Sequence, residues 1–366
     1  MEGVTDVPRP RAVPGVAPAS TLNTGLDAFR GLTILAVVLH HASGLALAQA
    51  QAGSTTALLL GLLNRTLHFV VPAFLMLSAA LLTASLLRRP DLGRYFRRRV
   101  LRGVWPYLLW TGLYALWYVW RGDRPASDLA DPARWLFYLE YGKASFHLYF
   151  LLVALELYLI LPLLLPLARR RPTIGWALAL GFAAQVVVYA LNAAFFHFRF
   201  PASTVVWYLA PIVLGVAVGA RLETFAAWWA RRWGWVMAGL ALATALYIPQ
   251  AVTYIDGGAV IAWTYSLGNW AYTTLASLTV LALSLSLARA RPRLAAPFAA
   301  LGGLSLQVYL IHPALLQLLD DRGFPGQTWA FLGVFALYTL VAALLPWLLA
   351  RAIQGTRVSD FLFGRS

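Results

Sequence analysis

The chain has 366 residues, of which 60% are hydrophobic and 12% are charged, and its formal net charge is +15. This composition lies far outside the range of soluble domains and predicts an all-α, polytopic membrane helical bundle. The chain contains no cysteine. Disulfides, cysteine-ligated metals and a cysteine-bound acyl intermediate are therefore excluded, and any chemistry depends on His, Ser, Tyr, Asp, Glu and Arg side chains.

Apolar stretches that are long enough to cross a bilayer recur along almost the whole chain. They predict about ten transmembrane helices, at residues 26–46, 65–87, 104–120, 147–168, 174–195, 203–220, 233–249, 263–288, 298–319 and 328–350. Four arginine clusters and both chain ends then fall on one side of the membrane; the clusters are residues 88–102, 169–171, 221–232 and 289–293. The positive-inside rule therefore predicts that both ends are cytoplasmic.

Three segments follow from this topology. Residues 1–24 are polar and proline-rich and predict a disordered cytoplasmic tail, residues 25–351 form the transmembrane domain, and residues 352–366 form a short cytoplasmic tail. The chain is expected to be a multi-pass protein of the inner, cytoplasmic membrane. Its excess positive charge lies on the cytoplasmic face, so it implies no nucleic acid partner, and it could attract anionic membrane lipids or a polyphosphate cofactor.

The first predicted span, LDAFRGLTILAVVLHH, contains a histidine pair. His41 follows Arg30 by eleven residues, or about three helical turns, so the two share one helix face at depths ~16 Å apart. An ionisable residue deep in a membrane costs ~2.5 kcal/mol or more, which favours a functional role for His41 over a simple interhelical hydrogen bond. A neutral imidazole there could deprotonate a hydroxyl or attack a thioester. His40 points ~100° away and is expected to pack.

Three arginines are candidates for binding an anionic substrate. Arg30 follows Asp27 by three residues, a spacing suited to a local ion pair, so Arg30 is either an interfacial anchor or a substrate contact. Arg99 and Arg102 have the same spacing in RYFRRRVLRGVWP, at the start of the third predicted span. They could determine topology only, or they could clamp a phosphate through bidentate hydrogen bonds.

Glu156 is the only carboxylate that is predicted deep within a span. Counted from His147 at the outer end, it lies ~14 Å down, close to the depth that His41 reaches from the other side. A contact between Glu156 and His41 would pair a base with the carboxylate that orients it. The alternative is a structural hydrogen bond between helices.

Further polar residues are predicted toward the outer side, where they could line a cavity for an acceptor. They are His68, His147, Tyr149, Ser78, Tyr309 and His312. Each histidine could equally be a satisfied residue of the membrane interface, while Ser78, Tyr309 or an arginine could stabilise an oxyanion. No two histidines have the i, i+4 spacing beside a carboxylate that marks a helical zinc site, so no metal is predicted.

Five stretches resemble, in order, the motifs of acyltransferase family 3. They are LDAFRGLTILAVVLHH, HFVVPAFLMLSAALL, RYFRRRVLRGVWPYLLW, FHLYFLLVALELYLILPLL and LGGLSLQVYLIHPALL. This family contains integral-membrane O-acyltransferases that modify cell-surface polysaccharides and related glycans. The resemblance implies that His41 is catalytic and that Arg30, Arg99 and Arg102 handle an acyl-CoA donor at the cytoplasmic face. Ser78-Ala79 replaces the usual Ser-Gly, and Tyr149 stands where Trp is commoner.

The resemblance further implies acetyl or succinyl transfer, with acetyl-CoA as the expected co-substrate, no permanently bound cofactor, and a glycan or lipid-linked sugar as acceptor. His41 would act as a general base, or it would carry the acyl group briefly as an acyl-imidazole. The main alternative is a proton-coupled transporter or flippase for an anionic or lipid-linked substrate, in which His41 and Glu156 relay protons. A structural scaffold is the third hypothesis.

Overall fold

A computed structural model describes residues 19–255 and 257–364 of the chain, and this described part is helical, without a strand. The first eight α-helices are α1 (Ala19–Gln49), α2 (Thr55–Thr66), α3 (Val70–Arg88), α4 (Leu92–Arg99), α5 (Trp105–Trp120), α6 (Pro132–Tyr141), α7 (Tyr149–Ile160) and α8 (Leu165–Arg169). The next eight are α9 (Ile174–Leu191), α10 (Leu209–Ala220), α11 (Phe225–Ile255), α12 (Ala262–Ala290), α13 (Pro292–Gly302), α14 (Ser305–Asp320), α15 (Thr328–Ala352) and α16 (Arg357–Phe363). The predicted all-α fold is confirmed.

Seven helical stretches within the described residues are long and apolar enough to cross a membrane. They are Thr21–Gln49, Thr55–Arg88, Tyr149–Arg169, Ile174–Phe196, Leu222–Ile255, Ala262–Ala290 and Thr328–Ala352. Helices α13 and α14 add an eighth if they count as one span bent by 66°. The other two predicted spans correspond to α5, which has 16 residues, and to the shorter apolar helix Val205–Ala220. The protein is a multi-pass membrane protein; ten spans and cytoplasmic ends stay predictions.

The bend between α13 and α14 sets the position of the later helix beside α1. Helix α13 crosses α1 so closely that a Cβ added to Gly302 would overlap the carbonyl oxygen of Asp27, and one added to Gly31 would overlap that of Phe298. Glycine permits this contact because it has no Cβ. After the bend, α14 packs along the second half of α1, where the histidine pair lies.

Helix α10 lies at the centre of the fold, since every residue from Ala210 to Ala220 is buried. It crosses α3 through Gly215 and Gly219, which are four residues apart, as in the small-residue interfaces of membrane helices. A Cβ on Gly219 would overlap the carbonyl oxygen of Ala80. This contact fixes α3, whose residues reach both cavities described below.

Helices extend into both segments that were predicted to be tails. Helix α1 begins at Ala19, inside the segment 1–24 that was predicted to be disordered; residues 1–18 lie outside the described residues. In the segment 352–366, α16 packs on α5: the indole Nε1 of Trp105 donates to the carbonyl of Phe361 at 2.6 Å, and Phe363 is buried. These aromatic contacts therefore hold α16 against α5.

The loop 121–146 contains a 3₁₀ turn at Ala126–Leu129 and helix α6. Arg121 ties the start of this loop to the end of α14 through two hydrogen bonds to the carboxylate of Asp321, at 2.6 and 2.9 Å. The guanidinium holds the pKa of Asp321 below its usual range. The loop is thus anchored on the helix that carries His312.

We predict that Gly219→Ala destabilises the protein while Gly333→Ala does not. The methyl group at position 219 must displace the backbone of α3, and such overpacking costs about 1–3 kcal/mol. Gly333 lies on α15 with open space around its Cβ position and serves as the matched control. Thermal unfolding of the purified protein in detergent measures both effects, and equal transition temperatures for the two variants would contradict the prediction.

Candidate active site

His41 on α1 and His312 on α14 form a hydrogen-bonded pair, although they lie 271 residues apart in the chain. Nδ1 of His41 is 2.9 Å from Nε2 of His312, and the two rings are nearly parallel, at 9°. On the far side, Nδ1 of His312 is 2.9 Å from the carbonyl oxygen of Val308, four residues earlier on the same helix. His312 is fully buried. The structure therefore gives His41 a partner whose own orientation is fixed.

The carbonyl of Val308 determines where the hydrogens of this pair lie. A carbonyl oxygen only accepts, so Nδ1 of His312 carries a hydrogen and donates it. In the neutral ring, Nε2 of His312 is then an acceptor, and Nδ1 of His41 must donate to it. Nε2 of neutral His41 consequently keeps a free lone pair. This nitrogen has the electronic form that a general base or a nucleophile requires.

His41 lines a cavity of about 330 Å³, which we call the histidine cavity. Four other predicted residues line it as well: His68, His147, Tyr149 and Tyr309. Its remaining wall is aromatic and polar, and includes Trp207, Tyr265, Asn269, Trp270 and Thr274. Tryptophan and tyrosine rings beside amide and hydroxyl groups can pack against and hydrogen-bond a polar organic molecule.

The other histidines of this cavity have partners that hold them in place. Nδ1 of His40 donates to the carbonyl of Asn64 at 3.1 Å, and the side-chain amide of Asn64 donates back to the carbonyl of His40 at 2.9 Å. Nδ1 of His68 is 3.1 Å from the hydroxyl of Tyr247. The reciprocal bonds of His40 agree with its expected supporting role, and they separate it from the reactive geometry of His41.

A second cavity, of about 440 Å³, contains all three predicted arginines, and we call it the arginine cavity. Arg30, Arg99 and Arg102 line it. Arg30 also forms the expected ion pair with Asp27, at 2.6 Å. Arg102 lies in a π-helical segment, Val100–Val104, that continues α4. Such π-helical turns often occur at functional sites because they alter the direction of side chains within a helix.

The arginine cavity continues into a cleft of about 480 Å³ through shared lining residues, namely Leu82, Ser85 and Arg99. We call it the arginine cleft, and four more arginines line it: Arg88, Arg89, Arg94 and Arg98. Asp91 is the acidic residue among its lining side chains. So many guanidinium groups around one concave surface favour a ligand with several phosphates.

An aromatic partition separates the histidine cavity from the arginine cavity. Phe74, Phe150 and Tyr309 line both cavities, and their ring centroids are 5.9 Å apart for Phe74 and Phe150 and 5.4 Å apart for Phe150 and Tyr309. The hydroxyl of Tyr309 donates to the carbonyl oxygen of His147, which fixes its ring. One layer of side chains thus divides a basic compartment from a compartment that contains a free imidazole nitrogen.

The amino-acid sequence shows to which protein family these two cavities belong. The family model described as acyltransferase domain, that of acyltransferase family 3, matches residues 23–351, which is nearly the whole chain. The chain belongs to this family. Comparisons with curated proteins and with solved structures find no match. The predicted resemblance is confirmed, and the two cavities are those of a membrane acyltransferase.

In this acyltransferase, Glu156 does not meet His41. Its carboxylate accepts a hydrogen bond from the backbone N–H of Val205 at 2.6 Å, and Glu156 lines neither the histidine cavity nor the arginine cavity. It caps the 3₁₀ segment Val205–Tyr208, whose first N–H groups have no helical acceptor. The place that was predicted for Glu156 beside His41 is occupied by His312, so the geometry supports the structural alternative for the glutamate.

Two other predicted residues lie elsewhere than expected. Ser78 lines the arginine cavity and not the histidine cavity, and His312 lies behind His41 without lining either cavity. Residues 19–255 and 257–364 contain no group of three or more His, Asp or Glu side chains that could hold a metal ion. The sequence contained signals for the arginine cleft, since it has seven arginines between Arg88 and Arg102, but not for the cavity residues Asn269 and Thr274.

Proposed function

We propose that the protein transfers an acyl group, with acetyl as the expected one, from cytoplasmic acyl-CoA to a hydroxyl group of a cell-surface glycan or lipid-linked sugar. The reaction would take place in the inner, cytoplasmic membrane. The observation that carries this proposal is the pair of cavities on either side of the aromatic partition. One offers arginines to a polyphosphate, and the other offers the free Nε2 of His41 to a hydroxyl.

The donor fits the compartment that the arginines line. Coenzyme A has phosphate groups at one end and its thioester at the other, joined by a long arm. The arginine cleft is suited to the phosphates, and the arginine cavity beyond Arg99 is suited to the arm. This arrangement directs the thioester toward Phe74 and Phe150 of the partition, with His41 on the far side. The positive-inside rule predicts that the arginine cleft faces the cytoplasm, where coenzyme A is available.

The histidine cavity fits the acceptor. Its tryptophan, tyrosine and asparagine side chains suit a sugar, which presents apolar faces to aromatic rings and hydroxyl groups to amides. Nε2 of His41 takes the proton of the acceptor hydroxyl as that oxygen adds to the thioester carbonyl. The C–S bond then breaks, and the imidazolium returns the proton to the thiolate of coenzyme A.

A two-step route uses the same nitrogen. Nε2 of His41 attacks the thioester and forms an acyl-imidazole, and the thiol of coenzyme A leaves before the acceptor attacks. An exchange experiment without a glycan acceptor distinguishes the two routes. Only the two-step route exchanges labelled coenzyme A into acetyl-CoA, because only that route reversibly breaks the C–S bond. We prefer direct attack in a ternary complex, which predicts no such exchange.

The transporter alternative has less support from the geometry. It relied on a proton relay between His41 and Glu156, and the carboxylate of Glu156 caps Val205 instead. The arginine cleft and the aromatic partition are suited to a donor whose phosphates stay in the cleft while only its acyl group crosses the partition. A transporter would move its substrate in vesicles that contain no acyl donor, so a flux assay without acetyl-CoA distinguishes the two functions.

We predict that His41→Ala reduces acyl transfer by about 10²–10⁴-fold, the usual contribution of a general base. Purified protein in detergent with radiolabelled acetyl-CoA and a cell-envelope glycan extract measures thioester cleavage and transfer together. His197→Asn is the control, because His197 is an exposed histidine on the loop after α9, and it should behave as wild type. Unchanged turnover of His41→Ala would reject the catalytic role.

We predict that His312→Phe lowers kcat by about 10²-fold or more, whereas His312→Gln retains more activity. Phenylalanine removes the acceptor for Nδ1–H of His41, so the tautomer that leaves Nε2 free is no longer enforced. The side-chain oxygen of glutamine can accept the same hydrogen. Equal activities of the Phe and Gln variants would show that His312 only fills space.

We predict that Arg98→Ala raises the KM for acetyl-CoA by up to about tenfold but leaves the KM for acetyl-pantetheine, which lacks the nucleotide phosphates, unchanged. A charge-assisted hydrogen bond contributes ~1.5–3 kcal/mol at most, and exposure to solvent reduces that contribution. Arg97→Ala is the matched control, because Arg97 lies on the same helix but does not line the arginine cleft. Equal effects on both donors would contradict phosphate binding by the cleft.

A further inference from the structure

His147 has a ring nitrogen that the proposed mechanism does not yet use. Its Nε2 is buried and has no hydrogen-bond partner among the described residues, and the exposed fraction of the residue is 1%. Buried polar atoms are nearly always paired, and one that is not costs ~1–3 kcal/mol. His147 lines the histidine cavity together with His41. An unpaired nitrogen on a residue that lines a cavity points to a ligand, and the kind of ligand depends on whether this nitrogen carries a hydrogen.

A chain of hydrogen bonds that starts at Trp117 answers that question. The indole Nε1 of Trp117 donates to the side-chain oxygen of Gln317 at 2.7 Å. An indole N–H can only donate, so this contact fixes which side-chain atom of Gln317 is the oxygen. The amide nitrogen of Gln317 then donates to the hydroxyl of Tyr118 at 2.6 Å. The hydroxyl of Tyr118 is therefore an acceptor toward Gln317, and its own hydrogen must go elsewhere.

That hydrogen goes to Ser145, and the hydrogen of Ser145 goes to His147. The hydroxyl of Tyr118 is 3.3 Å from Oγ of Ser145, and Oγ of Ser145 is 3.2 Å from Nδ1 of His147. If Tyr118 donates to Ser145 and Ser145 donates to Nδ1 of His147, both hydroxyl hydrogens have an acceptor. The opposite direction would leave the hydrogen of Tyr118 without an acceptor among the residues that the structure describes. Nδ1 of His147 thus accepts, and in the neutral ring Nε2 carries the hydrogen.

The two histidines therefore have complementary forms on one cavity wall. Nε2 of His41 has a free lone pair, whereas Nε2 of His147 has an N–H to donate. The ring of His147 is 6.1 Å from the ring of His312, which is itself hydrogen-bonded to His41. The backbone of His147 is held by the hydroxyl of Tyr309, which donates to its carbonyl. A rigid donor thus lies close to the base.

We propose that His147 is a second catalytic residue of the acyl transfer, and that its Nε2–H donates a hydrogen bond to the carbonyl oxygen of the acyl group. This inference rests on the proposed function. As the acceptor oxygen adds to the carbonyl carbon, the carbonyl oxygen becomes an oxyanion, and the hydrogen bond to His147 strengthens. When the C–S bond breaks, the carbonyl re-forms. His147 gives up no proton and forms no covalent bond.

The test uses His147→Phe, which keeps a planar ring but has no N–H. Loss of one oxyanion donor lowers kcat by about 10²–10³-fold, and we expect this loss with the KM values for acetyl-CoA and for the glycan nearly unchanged. The assay follows thiol release from acetyl-CoA by full-length protein in detergent, with the cell-envelope glycan extract as acceptor. His197→Asn is again the control.

A matched pair of amides tests the position of the hydrogen. The side-chain nitrogen of glutamine can reach the place of Nε2, whereas that of asparagine reaches only the place of Nδ1. We therefore expect His147→Gln to be at least about tenfold more active than His147→Asn. This comparison still decides the question if His147→Phe does not fold, because both amides are polar and similar in size.

Several results would overturn the inference. The ring of His147 also meets the ring of Tyr114 edge-on, at 4.8 Å between centroids. If Nε2–H only packs against that ring, His147→Phe will turn over at the wild-type rate while His41→Ala stays inactive. A raised KM for the glycan with an unchanged kcat would assign His147 to acceptor binding. If wild type does not cleave acetyl-CoA at all, the proposed function fails as well.

Discussion

The site depends on the hydrogen bond from His41 to His312. Because the carbonyl of Val308 can only accept, it sets the tautomer of His312, and His312 in turn sets that of His41. The result is a lone pair at Nε2 of His41, which lines the histidine cavity. Two features of the helix packing position this hydrogen bond. The close crossing of α1 and α13 at Gly31 and the bend before α14 bring the two histidines together.

The second constraint is the single layer of aromatic side chains between the two cavities. In the proposed reaction, only the acyl group of the donor crosses this layer to the acceptor on the other side. An open channel would leak ions and expose the thioester to water, whereas a closed wall would prevent the reaction. Phe74 and Phe150 have no polar group that could anchor their rings, whereas the hydroxyl of Tyr309 donates to the carbonyl of His147. The partition thus consists of one ring that is fixed by a hydrogen bond and two rings that are held by packing alone.

The sequence predicted the residue types of the site better than their partners. His41 was predicted from helical phase and from the cost of burying an imidazole, which are local properties of α1. Its partner was not, because depth in the membrane gives no information on which helices are neighbours. Glu156 was predicted at a suitable depth, but its carboxylate caps the turn at Val205. The count of ten spans stays a prediction for the same reason: a run of apolar residues does not distinguish a membrane span from a short helix such as α10, which its neighbours bury from Ala210 to Ala220.

A neutral partner for His41 also explains why a separate hydrogen-bond donor to the acyl oxygen is useful. A carboxylate in the place of His312 would stabilise the imidazolium more strongly during proton transfer, but it would place a charge in a buried site at a cost of several kcal/mol unless it were paired. The histidine avoids that charge in the resting protein. Because neutral His312 stabilises the imidazolium less than a carboxylate would, groups around the acyl oxygen must contribute more of the transition-state stabilisation. The hydrogen-bonded chain that ends at His147 supplies such a group, again without a net charge, so both halves of the site satisfy the same requirement of the membrane interior.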